Sequence, residues 1–467
     1  MRDGEEETIM KPQTQNERGM ALIFAIIISL FLTVLGLGLT MFSLTEYSAA
    51  REYESHQMAF SIADGGLNTV KGVLRGQDLT TILNTNTSVP VYVNSAVGST
   101  GGIPYRNPIH PIDARNINFQ NPPQPNGSIS VPGLLTPAGG TSLGTGFFFA
   151  RVSDNDDGDG DPAFDSDSSV FLRVIGVHPA PLAEIGSHGG FVKNAVSIIE
   201  TSIRRNSSFE MGSPLSLLGP DVDVRFNGNA FNITGDDTHP GISLLYDDGG
   251  SNAQAATQSV YDALRNNQKD NITGAEGDFG PSPEPSVKDD TQTVLNDPNP
   301  NAKNVLDPNY LSEFVQSMAA MADSSYSGDS HFAGGTQFGT QSSPEITYID
   351  GDVHLTGSGS GHGILVITGD MLYTGAFDFT GLVLVVGEGS VDLRGANKDI
   401  TGGMLVAKLE EDGSGGYQFG IPSMTFRGNS NFLFDGASLN LAMSLLPVET
   451  TSWREITPDI EPVVASN

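Results

Sequence analysis

Apolar positions follow three different rhythms along this chain. From Met20 to Phe42 they run for 23 residues without a charge (MALIFAIIISLFLTVLGLGLTMF). At 1.5 Å per residue this predicts a helix long enough to cross a hydrocarbon core, 20–42. A cleaved secretory signal would be shorter and end at small residues, whereas here the helical pattern continues. Tyr53, Phe60, Ala63, Leu67, Val70 and Leu74 then keep a 3,4 spacing, predicting an amphipathic helix over 43–78 whose apolar face meets a core. Gly65 and Gly66 interrupt it only weakly.

The second rhythm is strand-like. Nine prolines between Pro90 and Pro137 exclude a regular helix or central strand there and predict a loop laid over a surface. Strand runs follow at Phe147 to Val152, Val170 to Val177 and Phe191 to Ile203. They predict a small antiparallel sheet packed on the helix, giving a head over 79–210.

The third rhythm repeats. Val353-His354-Leu355-Thr356-Gly357 is echoed by Met371-Leu372-Tyr373-Thr374-Gly375 and Val391-Asp392-Leu393-Arg394-Gly395. Gly363-Ile364-Leu365-Val366-Ile367 returns as Gly381-Leu382-Val383-Leu384-Val385 and as Gly403-Met404-Leu405-Val406-Ala407. Short strands closed by glycine at this period predict a parallel β-solenoid over 344–445. A first rung precedes it within 211–247. The segment 248–343 then reads as an insertion with helices near Ala253 to Leu264 and from Pro308 to Met321, and with a linker-like middle over 274–300. Residues 446–467 read as a cap and tail, with Trp453 covering the last rung. The fold class is therefore a membrane-anchored α+β part, a long helix plus a small antiparallel sheet, followed by a mainly-β parallel solenoid.

Composition narrows the function. A net charge of −32 with only 23 Lys and Arg excludes nonspecific nucleic-acid binding, which needs clustered cations. Arg18 and Lys11 before the apolar run place the N-terminus on the cytoplasmic side and the bulk outside. The absence of Cys removes disulfides, thiolate nucleophiles and Cys-ligated metals.

The sharpest candidate chemistry is the acidic stretch 154–167, seven aspartates with no Lys or Arg. Asn155, Asp157 and Asp159 followed by Gly160 fit the alternating-oxygen half of a calcium loop, with Asp161, Asp165 and Asp167 available to close the shell. Ser166 stands where an EF-hand has its bidentate Glu, and the flanks are strands. The cofactor expected is Ca²⁺. No catalytic constellation stands out, so an enzyme is not expected. His354 and His362 fall on different sides of a rung, and Asp352 and Asp370, which a glycan-cleaving β-helix would use as a carboxylate pair, equally suit turns.

Glu17-Arg18-Gly19-Met20-Ala21-Leu22-Ile23 resembles a type IV prepilin junction, in which a hydrophilic leader (here 1–19) ends in Gly and an apolar helix begins. Glu46-Tyr47, Ala59-Phe60 and Ala63-Asp64-Gly65-Gly66-Leu67 are similar to the start of PilX-type minor pilins, in which aspartate loops also recur. The likeness spans about 60 residues. It implies cleavage after Gly19 by a prepilin peptidase, methylation at Met20, and residence as a single-pass protein of the inner membrane before assembly into a pilus or at the cell surface. Other pilins and minor pilins are the implied partners. Most major pilins carry Glu as the fifth mature residue, where this chain has Phe24. That Glu offsets a neighbour's terminal amine inside an apolar filament core, so Phe24 marks a minor subunit at the tip rather than the repeating one. A type II secretion pseudopilin is a close variant of this reading. The reading of another class is a tethered surface β-helix that binds or cleaves polysaccharide.

Overall fold

The computed structural model describes residues 14–84, 140–155, 169–179, 193–205, 211–247, 253–297 and 302–456, together with 108–109, 114–115, 117, 119, 133–137, 161, 165 and 249. One helix, α1 (Thr14–Leu74), contains both the apolar run and the amphipathic stripe. None of its large apolar side chains from Met20 to Leu44 is less than 49 % exposed, and this segment is long and apolar enough to cross a membrane, with a mean hydropathy of 2.8. From Ala59 onward the stripe is buried: Ile62, Ala63, Leu67, Val70 and Leu74 form one wall of a core, while Tyr53 stays exposed. A short α2 (Leu79–Asn84) follows, with Leu79, Ile82 and Leu83 buried in the same core.

The other wall is a five-stranded antiparallel sheet. It contains β1 (Thr141–Leu143), β2 (Gly146–Asp154), β3 (Ser169–His178), β4 (Ala195–Arg205) and β5 (Val448–Ile456), in that spatial order. Val170, Leu172 and Val174 of β3 face α1, while Ile175 and Val177 face a second layer that includes Ile109, Ala114 and Ile117 of the Pro-rich stretch. Burial on both faces explains why β2 to β4 read as nearly continuous apolar runs. At Gly176 of β3 an added Cβ would lie 2.2 Å from the Ala59 carbonyl and 2.4 Å from the Ala63 nitrogen, so helix and sheet meet backbone to backbone there.

β5 corrects the expectation of a C-terminal cap on the solenoid. Trp453 pairs opposite Thr201 of β4 and meets Phe60 of α1 edge to face at 6.0 Å. The ring leans on the helix stripe while staying 48 % exposed, and the solenoid is an insertion between the fourth and fifth strands of the head sheet.

The solenoid has three parallel faces. The first runs, rung on rung, through 345–350, 363–367, 381–387 and 402–408; Leu365, Val383 and Met404 point inward while Val366, Leu384 and Leu405 meet outer helices. The second alternates strictly, as in Val391-Asp392-Leu393, because only its inner side is buried. The third contributes Phe377, Phe379, Ile400 and Phe432 to the interior. At the corner between third and first faces, Gly363, Gly381 and Gly402 stack with φ of 120°, 127° and 121°. A Cβ on Gly381 or Gly402 would lie 2.1 or 2.2 Å from the carbonyl of the glycine one rung before, so the column excludes other residues. The register pairs Gly381 with Gly402, not Gly403, one residue off the echo seen in the sequence.

Rung order differs from sequence order. The rung at 215–245 stacks on the last rung of the main array: Leu215–Leu218 pairs with Met404–Ala407, and Asp223–Phe226 with Ser423–Phe426. The expected linker continues the stack, with Ile272–Thr273 on Ile233–Thr234 and Val287–Asp289 on Ile242–Leu244. Helix α3 (Gln254–Ala263) closes this end by driving Ala256 and Val260, with flanking Ala253 and Leu264, into the interior. Helix α4 (Pro308–Met321), capped by Asp307 accepting from the Asn309 N–H, then packs Leu311, Phe314, Val315 and Met318 over the first face. The insertion ends earlier than 343, because Ser324–Ser327, Ser330–Phe332 and Thr336–Phe338 form a further rung under 345–361. Its strands are too short and polar to register as a repeat by apolar pattern. Helix α5 (Gly436–Met443) covers the first face and leads back to the head.

Candidate functional site

Three features of the head bear on function: the free helix, the acidic stretch and a charge row whose Arg151, Arg173 and Glu200 are buried. Gly19 lies within α1, and Met20 and Phe24 are each 60 % exposed on its free half. The prospective junction therefore sits on a continuous helix whose residues 20–50 are all exposed and whose first buried side chain is Ala59.

The acidic stretch joins β2 to β3, whose last pair is Asp154 with Val170. Of the expected calcium ligands, Asn155, Asp161 and Asp165 are described; Asp157, Asp159 and Asp167 lie outside the described residues. Asp161 is exposed. Asp165 is held locally: its Oδ1 accepts from the Ser169 N–H at 3.1 Å, and its own N–H donates to Thr80 Oγ1 at 3.3 Å. Nearby Arg205 donates to the Leu74 carbonyl at 2.8 Å, closing the end of α1; burial pulls its pKa down, offset in part by Asp78 and Asp165. Among the described residues, no group of three His, Asp or Glu converges as a metal site.

On the sheet face away from α1, Arg151, Arg173, Glu200 and Arg454 form one row across four strands. Arg173 Nε donates to Glu200 Oε2 at 2.9 Å, and Arg454 Nε donates to Oε1 at 2.8 Å. Burial would raise Glu200, but the Arg173 charge and the hydrogen bonds from both arginines outweigh it and hold the carboxyl below its ordinary value. Arg151, desolvated and beside Arg173, is lowered to about 10. Sequence reading did not single out this row; a charged residue inside each of the three apolar strands β2, β3 and β4 was its signal.

In the solenoid, Asp352 and Asp370 do fall on neighbouring rungs. Asp352 Oδ1 accepts the Asp370 N–H at 2.8 Å, which is turn chemistry. His354 lies on the second face, and His362 is on the strand that turns the corner from third to first; the ring beside His354 is His331, one rung away. The third face presents an outward row of Ser360, Asp378, Asp399, Asn431 and Asn232. Asn431 donates to Asp399 at 2.6 Å and Asn232 to Asn431 at 3.1 Å. Desolvation, then the Asp399 charge, raises Asp378.

No family model matches the chain, and no curated protein matches it. Among solved structures it is similar to the competence-associated pilin ComZ from Thermus thermophilus, at 12 % identity and a TM-score of 0.19, over 86 % of this chain and 97 % of that one. Superposition that loose does not establish a common fold, and the functional reading rests on this chain's own residues.

Proposed function

We propose that the protein is a pilin-like minor subunit of a type IV pilus or related filament. One observation carries the reading: a single helix whose first half is lipid-soluble and unpacked, and whose second half is the spine of an antiparallel head. Such a helix anchors a precursor in the inner membrane and afterwards buries its free half among the helices of other pilins. A prepilin peptidase would cut between Gly19 and Met20, in keeping with the prepilin-like junction, and the stretch from Glu46 to Leu67 is similar to PilX-type minor pilins. Phe24 leaves no carboxylate to neutralise a neighbour's terminal amine in an apolar filament core, which suits a low-copy subunit at the tip, initiating assembly and presenting the solenoid outward.

Mass spectrometry of the mature N-terminus tests this. The expected product begins at a methylated Met20, and Gly19→Val should leave a full-length membrane-bound precursor. Normal processing and assembly of that variant would refute the pilin reading. Label on the solenoid should appear at filament ends; uniform decoration of the shaft would refute the tip placement.

The second reading, polysaccharide binding by the solenoid, is favoured by the exposed row from Ser360 to Asn232, whose in-register donors and acceptors repeat at the strand spacing of about 4.8 Å. Retention on immobilised glycans, lost in Asn431→Ala, would support it.

A further inference from the structure

We propose that His331 and His354 form a site for a divalent transition-metal ion on the second face of the solenoid. They are in-register partners on neighbouring parallel strands, with ring centroids 5.0 Å apart and planes at 65°. His331 is exposed and His354 half-buried, so both are open to solvent.

Each ring is held by the same device. His331 Nε2 lies 3.2 Å from Thr356 Oγ1, and that hydroxyl donates its own proton to the Phe332 carbonyl at 3.2 Å. The hydroxyl oxygen can then only accept, so the imidazole donates through Nε2–H, which leaves Nδ1 as the nitrogen available to a metal ion. One rung on, His354 Nε2 lies 3.1 Å from Thr374 Oγ1, whose proton is directed at the Leu355 carbonyl at 3.5 Å. Two imidazoles oriented by a hydrogen-bonded rear nitrogen, with Nδ1 left to coordinate, are the arrangement in which histidine binds metal.

The sequence carries the same repeat. Gly328-Asp329-Ser330-His331 and Gly351-Asp352-Val353-His354 occupy equivalent positions, whereas the next rung, Gly369-Asp370-Met371-Leu372, has leucine in place of the third ring. The site is therefore a pair. Asp329 and Asp352 precede the rings by two residues, and Asp352 is engaged with the Asp370 N–H. Among the described residues, no third His, Asp or Glu converges on the pair, so water or a ligand group fills the remaining positions. Nitrogen donors select zinc(II) or copper(II) over calcium, and the net charge of −32 draws cations to the surface.

The test uses the full chain in detergent micelles, with excess calcium present to occupy the carboxylate-rich loop. Zinc chloride is titrated by calorimetry, and copper(II) is followed by electron paramagnetic resonance. One ion per chain with two coupled imidazole nitrogens is expected. Its affinity should fall roughly ten-fold or more in His331→Ala and in His354→Ala, and in Thr374→Val by loss of the rear hydrogen bond. His362→Ala should leave it unchanged. Should an alanine variant lose its native circular dichroism, His→Asn at the same position gives the same reading. No zinc uptake at millimolar concentration, or uptake that survives the double His→Ala substitution, overturns the proposal.

Discussion

Arg75, just beyond the last turn of α1, donates from Nη2 to both carboxylate oxygens of Asp323, at 3.2 and 3.1 Å, across 248 positions of sequence. Its Nε also donates to the Leu445 carbonyl at 3.1 Å, and the Gly76 N–H to that of Ser444 at 2.7 Å. Asp323 accepts the Ile346 N–H at 2.9 Å, at the start of the main array. One guanidinium thus ties the end of the helix to both the entry and the exit of the array.

Arg75→Ala is expected to loosen this joint. The pair is about a third exposed, so the loss should be modest, about 1–2 kcal/mol. Limited proteolysis should speed up near 321–323 and 444–446, while Asp323→Asn, which keeps one acceptor oxygen for Arg75 and Ile346, should change it less. Equal cleavage of wild type and Arg75→Ala would show that the contact does not hold the joint.

Glu200 is the only acid in the buried row, so Glu200→Leu leaves Arg173 without its counter-charge and should cost about 3–5 kcal/mol. Its folded pKa lies below the ordinary 4.5. The stabilisation is therefore complete above 4.5 and is lost as pH falls through the lower folded value. Chemical denaturation at descending pH should show a wild-type loss in that acid window that Glu200→Leu lacks.

Gly176→Ala should push α1 off the sheet, since the new carbon meets backbone on the helix; overpacking of this kind costs about 1–3 kcal/mol. Gly381→Ala adds strain from its φ of 127° to a clash with the preceding rung. Thermal melts should place both below Gly144→Ala, whose Cβ meets nothing within 4 Å and which reports positive-φ strain alone.

Calcium is expected to bind 154–167 through Asn155, Asp157 and Asp159 with Asp161, Asp165 and Asp167. Linkage then raises stability by about 2.7 kcal/mol at a hundred-fold excess over Kd. Asp161→Ala is the informative variant because Asp161 is exposed, whereas Asp165 also holds the Ser169 N–H. Calorimetry without heat at millimolar calcium would return the stretch to a solvated acidic hairpin.

Local pattern decided what local physics can decide. An uncharged run from Met20 to Phe42 has few alternatives to a helix, because its backbone must satisfy itself in lipid. In-out alternation at Val391-Asp392-Leu393 and the recurring corner glycines likewise expose a solenoid before any contact is known. The Asp307 cap and Pro308 marked the start of α4 for the same reason: capping is settled within one turn. Order among rungs is another matter. Every rung offers its neighbours the same ladder of N–H and C=O groups, so nothing in 215–245 states that it stacks beyond 434 instead of before 345; helices α3 and α4, which close one end and carry the chain back along the first face, decide it. The rung at 324–338 escaped notice because Ser, Thr and Gly can pair as strands without an apolar signature. Trp453 could cover any apolar edge, and the tertiary structure chose Phe60 by completing the head sheet with β5. Histidines 331 and 354 are 23 residues apart in sequence and adjacent only once the coil has closed, since contacts between rungs are fixed by the length of a turn and not by proximity along the chain.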